Sequence, residues 1–200
     1  MLRGPHVRAL WRIVNVPPRA SRRLAMFGVP AGMNEALSIV SATEADLGAV
    51  AKLAGVIWRR HYPGIITQEQ IEYMLALGYS HHALRRFLDA EGAGLDLARI
   101  GDRLAGFGAY YRLDGARELK LDKLYVDQDF QGRGLGSRLI GKAESAARAQ
   151  GCSDLVLNVN KRNVQAIRAY ERNGFAIREA VVVDIGGGFV MDDYVMAKPL

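Results

Sequence analysis

The strongest constraint on how this chain folds is a change of rhythm near residue 131. Before it, three strand-like runs, about Leu95 to Ile100, Leu104 to Leu113 and Glu118 to Val126, are separated by the turn-rich Gly101-Asp102-Arg103 and Asp114-Gly115-Ala116. That spacing predicts an antiparallel meander. After the glycine-rich Gln131-Gly132-Arg133-Gly134-Leu135-Gly136, helix and strand patterns alternate. A helix is expected over Gly136 to Gln150, a strand over Asp154 to Val159, a helix over Asn163 to Asn173 and a strand over Phe175 to Asp184. A Gly186-Gly187-Gly188 turn then leads to a last strand, Phe189 to Ala197. An antiparallel front joined to a strand-helix-strand back predicts the mixed α/β class.

Upstream, Leu37 and Ile39 suggest a first strand. Thr43 then caps a helix whose apolar positions Leu47, Val50, Leu53, Ala54 and Ile57 recur at helical spacing and which ends near Trp58 to His61. Thr67 with Gln70 is a capping-box signature for a second helix, and a short third helix should run from Ser80 to about Ala90. At 200 residues, half of them hydrophobic, the chain is long enough for one well-buried core and short for two. One domain is expected over residues 34–200.

Residues 1–33 hold six arginines and no lysine or acidic group, so the rest of the chain has 21 basic against 21 acidic residues and the whole +6 belongs to this arm. The folded part therefore has no electrostatic case for nucleic-acid binding. The arm resembles a transit peptide only loosely: Pro17 and Pro18 would break an amphipathic helix. A flexible extension, with Met33 as the working start, is the expected reading. Cys152 is alone, which rules out an internal disulfide, and His6, His61, His81 and His82 show no metal-ligand spacing, so no metal is expected. The chain has no run of 18 apolar residues, which argues against a membrane span, and a reducing cytoplasm is the expected compartment.

The loop from Gln131 to Gly136 lies between a strand and a strongly helical segment. Its glycines remove the Cβ atoms that would keep backbone N–H groups from converging on an anion, and the following helix adds its positive N-terminal end. The loop lacks the Gly-Lys-Ser/Thr of a P-loop and the glycine order of a dinucleotide fold. About twenty residues beyond the loop helix, Asn163, Ala166 and Tyr170 stand at i, i+3 and i+7 and form one helical stripe.

The Gln-x-x-Gly-x-Gly loop after a strand, followed by Leu157-x-Val159-x-x-x-Asn163-x-x-Ala166-x-x-x-Tyr170-x-x-x-Gly174-Phe175, resembles the acetyl-CoA signature of the GNAT superfamily of N-acetyltransferases. The resemblance implies a central, mostly antiparallel, splayed sheet flanked by helices. It also implies acetyl-CoA as co-substrate and an amine as acceptor, with a homodimer left open. Carried over position by position, it assigns the diphosphate to Gln131, Gly132, Arg133, Gly134, Leu135, Gly136 and Ser137. Backbone groups of Leu124, Tyr125 and Val126 would pair with the pantetheine arm as an added strand, with a bulge freeing an N–H for the thioester carbonyl. Asn163 and Ala166 would lie along the cofactor, and Tyr170 would reach the sulfur.

Acetyl transfer to an amine needs a neutral nucleophile, oxyanion stabilisation and a proton for the departing thiolate. A tyrosine, with an ordinary pKa of about 10, holds its proton at neutral pH, so Tyr170 suits the last task. The base has several candidates. Asp122 lies on the strand before the loop, two residues before Leu124, and so is expected on that residue's face of the sheet. His61, Tyr62 and Glu72 lie where similar proteins shape the acceptor pocket. Acceptor identity is expected to come from Arg59 to Tyr79 and from the last hairpin, with Asp192, Asp193 and Tyr194. The competing reading is a non-catalytic acyl-CoA-binding regulatory module of the same fold.

Overall fold

The structure is a computed structural model that describes residues 36–200; the Arg-rich arm and its expected flexibility lie outside the described residues. The chain forms β1 (Leu37–Ser41), α1 (Leu47–His61), α2 (Gln68–Tyr79), α3 (His81–Asp89), β2 (Gly94–Ile100), β3 (Arg103–Arg112) and β4 (Glu118–Val126). It continues with α4 (Leu135–Ala149), β5 (Asp154–Asn160), α5 (Val164–Arg172), β6 (Ala176–Gly186) and β7 (Phe189–Pro199). The seven strands make one sheet in the order β1-β2-β3-β4-β5-β7-β6, antiparallel except for the β4–β5 pair.

The expected elements form where periodicity and caps placed them, with ends shifted by a residue or two. Thr43 donates from both its backbone N–H and its hydroxyl to the Asp46 carboxylate, which opens a 3-10 turn leading into α1. The Thr67 hydroxyl caps α2 by accepting from the Gln70 N–H at 3.2 Å. The reciprocal half of that capping box is absent. The Gln70 amide instead donates to the Val190 carbonyl at 2.9 Å and so ties α2 to β7.

The core lies on both faces of the sheet. On one face Trp58 and Tyr62 of the α1 end stack at 4.3 Å and pack with Tyr79, Phe107 and Tyr125. On the other, Leu139 of α4 lies over Gly108 and Leu124. Each such large side chain removed from water contributes roughly 1.5–3 kcal/mol, so the sheet is clamped firmly wherever helices cover it.

Two irregularities position the site. β4 pairs with β5 only at Glu118, Leu119 and Lys120; from Leu121 onward it pairs with β3 alone. The sheet therefore splits into a V between the end of β4 and the end of β5. Second, Leu121 and Lys123 oppose adjacent residues of β3, Tyr110 and Ala109, so Asp122 is the extra residue of a β-bulge.

Candidate active site

Along the open edge of β4, the backbones of Leu124, Tyr125 and Val126 are paired on one side with Gly108, Phe107 and Gly106. Their other side faces the V, where β5 is out of register range. An extended ligand arm can add there as a strand. The Gln131 side chain folds back to donate to the Val126 carbonyl at 3.4 Å, which fixes the strand-to-loop corner.

The loop that follows turns through Gly132 at φ 76° and Gly134 at φ 78°, a left-handed conformation that other residues adopt only with strain. A Cβ built on either glycine meets nothing within 4 Å, so the space in front of the loop is open. Gly134 is the N-cap of α4 and no side chain caps the helix. Among the described residues, the backbone N–H groups of Gly132, Arg133, Gly134, Leu135, Gly136 and Ser137 make no hydrogen bond; the first α4 bond to this region comes from Arg138 to the Gly134 carbonyl, at 3.1 Å. Six undirected donors at the positive end of a 15-residue helix fit an anion such as the diphosphate of coenzyme A. Arg133 and Arg103 flank the loop, each over the Phe130 ring, at 5.5 and 4.6 Å.

Across the V, Asn163 caps α5. Its carbonyl oxygen accepts from the Ala166 N–H at 3.2 Å, while its amide nitrogen lies 3.1 Å from Nε2 of His61 at the end of α1. The stripe Asn163, Ala166 and Tyr170 is buried, and the Tyr170 ring packs edge-on against Phe175 at 5.5 Å. Burial holds the His61 imidazole below its ordinary pKa, against the opposing Asn163 contact. Burial likewise raises the Tyr62 phenol well above its ordinary value, and the nearby Tyr79, Tyr170 and Asp193 add to the shift.

Asp122 is a correction. The bulge breaks the alternation on which its placement rested, so the chain returns Leu124 to the α4 face while Asp122 and Lys123 both turn toward α3. There Asp122, fully buried, lies 3.4 Å from the Arg86 guanidinium and 3.5 Å from the Lys123 ammonium, which itself sits 4.2 Å over the Tyr79 ring. Asp122 thus belongs to a buried ion cluster beneath α3. Glu72 is engaged at the surface: Arg59 grips it at 2.7 and 2.6 Å on the exposed side of α2, and that hydrogen bonding lowers its pKa.

Beside the V is an open cavity of about 410 Å³, lined by the α1–α2 loop, Gln70, Asn160, Arg162, Val190 and Asp192. Arg162 donates to the Ile65 and Gly64 carbonyls at 2.9 and 2.6 Å and so latches that loop over the end of β5. Asp192 is ion-paired with Lys161. Gln70 falls within the segment from which acceptor identity was expected, whereas Arg162 was not marked by its sequence; it acts through contacts about 100 positions away in the chain, which no local motif encodes. No group of three or more His, Cys, Asp or Glu among the described residues could hold a metal. Cys152 is buried at the turn from α4 to β5.

Comparison with known proteins decides the family. The model of the Acetyltransferase (GNAT) family matches residues 57–175. The chain belongs to the GNAT family. An uncharacterized N-acetyltransferase of Mycobacterium tuberculosis is 27% identical over 155 residues, covering 78% of this chain and 98% of the relative. The spermidine N(1)-acetyltransferase of Thermoplasma acidophilum is 25% identical over 151 residues, 74% of this chain and 90% of the relative. Among solved structures, the PaiA N-acetyltransferase of Thermoplasma acidophilum in complex with coenzyme A matches with a TM-score of 0.69 at 24% identity, over 82% of this chain and 99% of that one. This GNAT protein is thus an acetyl-CoA-dependent acyltransferase, built on the splayed, mostly antiparallel sheet that its sequence implied. No helix among its described residues is long and apolar enough to cross a membrane.

Proposed function

We propose that the protein transfers the acetyl group of acetyl-CoA to a primary amine by direct attack, with Tyr170 as the general acid that protonates the departing thiolate. The observation that carries this reading is the pairing of a loop of six unused main-chain donors with a buried tyrosine on the opposite side of the V. The donors of Gly132 to Ser137 hold the diphosphate, and the free edge of Leu124 to Val126 aligns the pantetheine arm. Asn163 and Ala166 border that arm from α5. The β4 bulge leaves main-chain donors out of the β3 ladder, where they can stabilise charge developing on the thioester oxygen. Tyr170 gives its proton to sulfur, whose conjugate acid has an ordinary pKa of about 8.5.

The amine enters through the 410 Å³ cavity, past Asn160 and Asp192. One carboxylate, Asp192, stands at that mouth beside Lys161 and offers a contact for a cationic amine. Two relatives carry names of the same kind, the spermidine enzyme and the thialysine N-epsilon-acetyltransferase of Sus scrofa, the latter 28% identical over 141 residues.

The test is acetyl-CoA turnover against a panel of small amines and peptides, read as release of free thiol, for wild type beside Tyr170→Phe. The variant should bind acetyl-CoA normally and lose roughly 10²- to 10⁴-fold in kcat, the range for removal of a general acid. Equal turnover by the two proteins would remove Tyr170 from the mechanism.

A further inference from the structure

Resting on the acetyltransferase reading above, we infer that Asp193 of β7 is the proton acceptor for the incoming amine, reached from the floor of the acceptor cavity. The starting point is a contrast between two buried carboxylates. Asp122 is held against two cations, Arg86 and Lys123, as a structural carboxylate usually is. Asp193 is equally buried, at 1% exposure, yet neither of its oxygens makes a well-formed hydrogen bond to any group among the described residues. The cation that acts on it most, Lys120, donates to the Asn158 side chain. A carboxylate left in this condition costs stability, and active sites are where such groups persist.

Its position suits the task. Asp193 is the direct cross-strand partner of Asn160, so the two side chains stand side by side, and Asn160 lines the cavity. Asn158, two residues earlier on β5, faces the same way and lies beside the carboxylate. Lys120, at the point where β4 and β5 part, completes a polar floor to the V. The groups facing Asp193 are Lys120 from β4, Lys161 after β5, its neighbour Asp192 and the Tyr62 phenol from the end of α1. Burial outweighs the cations and the Asn158 amide and pushes the carboxyl up to about 7. A base poised there changes protonation state in the neutral range, where a general base is most useful.

The protons balance without a further reactant. An ammonium entering past Asn160 gives one proton to the Asp193 carboxylate, directly or through one water, and Asp193 later passes it to solvent. The freed nitrogen attacks the acyl carbon; the C–N bond forms and the C–S bond breaks. As the tetrahedral intermediate collapses, Tyr170 gives its proton to sulfur, and the second proton lost from nitrogen passes through water to the Tyr170 phenolate and restores it.

The experiment compares wild type with Asp193→Asn and Asp193→Glu in thiol release across pH, together with acetyl-CoA binding and Tm. Asp193→Asn should keep acetyl-CoA affinity and a Tm at or above wild type, because a buried charge has gone, while kcat falls about 100-fold or more. Its rate should also lose the rise through neutral pH that is expected of wild type, since the base works only when ionised. Asp193→Glu should restore part of the rate. Wild-type kcat with an unchanged pH profile in Asp193→Asn overturns the inference alone. A variant that loses acetyl-CoA binding or melts well below wild type overturns it too, because the carboxylate is then structural. Wild-type protein that binds no acetyl-CoA and releases no thiol with any amine overturns the acetyltransferase reading itself, and this inference with it.

Discussion

The two walls of the V present different parts of the chain to the space between them. The wall made by β4 and the mouth of α4 offers main-chain groups: a strand edge released by the split from β5, and six N–H groups with no protein acceptor. The wall made by β5, α5 and β7 offers side chains: Asn158, Asn160, Asn163, Tyr170 and Asp193, nearly all buried. A ligand common to a whole family can be gripped by main chain, because such contacts tolerate changes in the side chains around them. Proton transfer needs groups of particular pKa, and these are supplied by side chains set in a chosen environment.

This division predicts where substitution hurts and how. The largest effect on cofactor binding should come on the main-chain wall at Gly134→Glu. The new residue would have to hold φ near 78° and would place a carboxylate in front of donors arranged for an anion. The left-handed conformation alone costs a side chain about 1–2 kcal/mol, and the repulsion adds to it. Acetyl-CoA affinity, measured by calorimetry, should fall on the order of 100-fold, since every 1.4 kcal/mol is a factor of ten. Unchanged affinity would show that the loop does not hold the diphosphate, and the contrast between the walls would collapse.

The same division explains what the sequence disclosed. The geometry of the main-chain wall was legible because it depends on glycines at fixed spacing before a helix, and Gly132, Gly134 and the α4 start lie within a residue of where that spacing placed them. The helix stripe Asn163, Ala166, Tyr170 was legible for a similar reason, a local period of 3.6. Asp122 was misplaced because strand alternation was assumed to run unbroken, and a bulge adds one residue without any local signal in Leu121-Asp122-Lys123. Asp193 was visible only as an acidic residue of the last hairpin. What distinguishes it from Asp192 is the register that sets it beside Asn160 and faces it inward, and register is a property of paired strands, not of one segment.

A smaller effect, on stability and not on chemistry, is expected at the bulge. Asp122→Asn would leave the buried Lys123 and the half-buried Arg86 without their shared anion. Breaking a buried pair in this way typically costs about 3 kcal/mol or more, which for a domain of this size lowers Tm by roughly 6–12 °C. The rise of rate through neutral pH should survive in the folded variant. A variant with wild-type Tm but no such rise would make Asp122 the base after all and would move the side-chain chemistry to the β4 wall.

The smallest effect should come from Glu72, a carboxylate of the acceptor segment. Arg59 engages both of its oxygens and Gln68 donates to one at 2.9 Å, all at an exposed surface of α2. Hydrogen bonding from Arg59 lowers its pKa, so it is ionised throughout the working range and a poor acceptor for an ammonium proton. Exposed ion pairs contribute little to stability because water screens them and the long side chains lose freedom on pairing. Glu72→Gln should therefore leave thiol release, its pH profile and Tm close to wild type. A large fall in kcat here, at intact acetyl-CoA binding, would mean that the acceptor approaches along α2 and not past Asn160, and would relocate the side-chain wall to the α1–α2 segment.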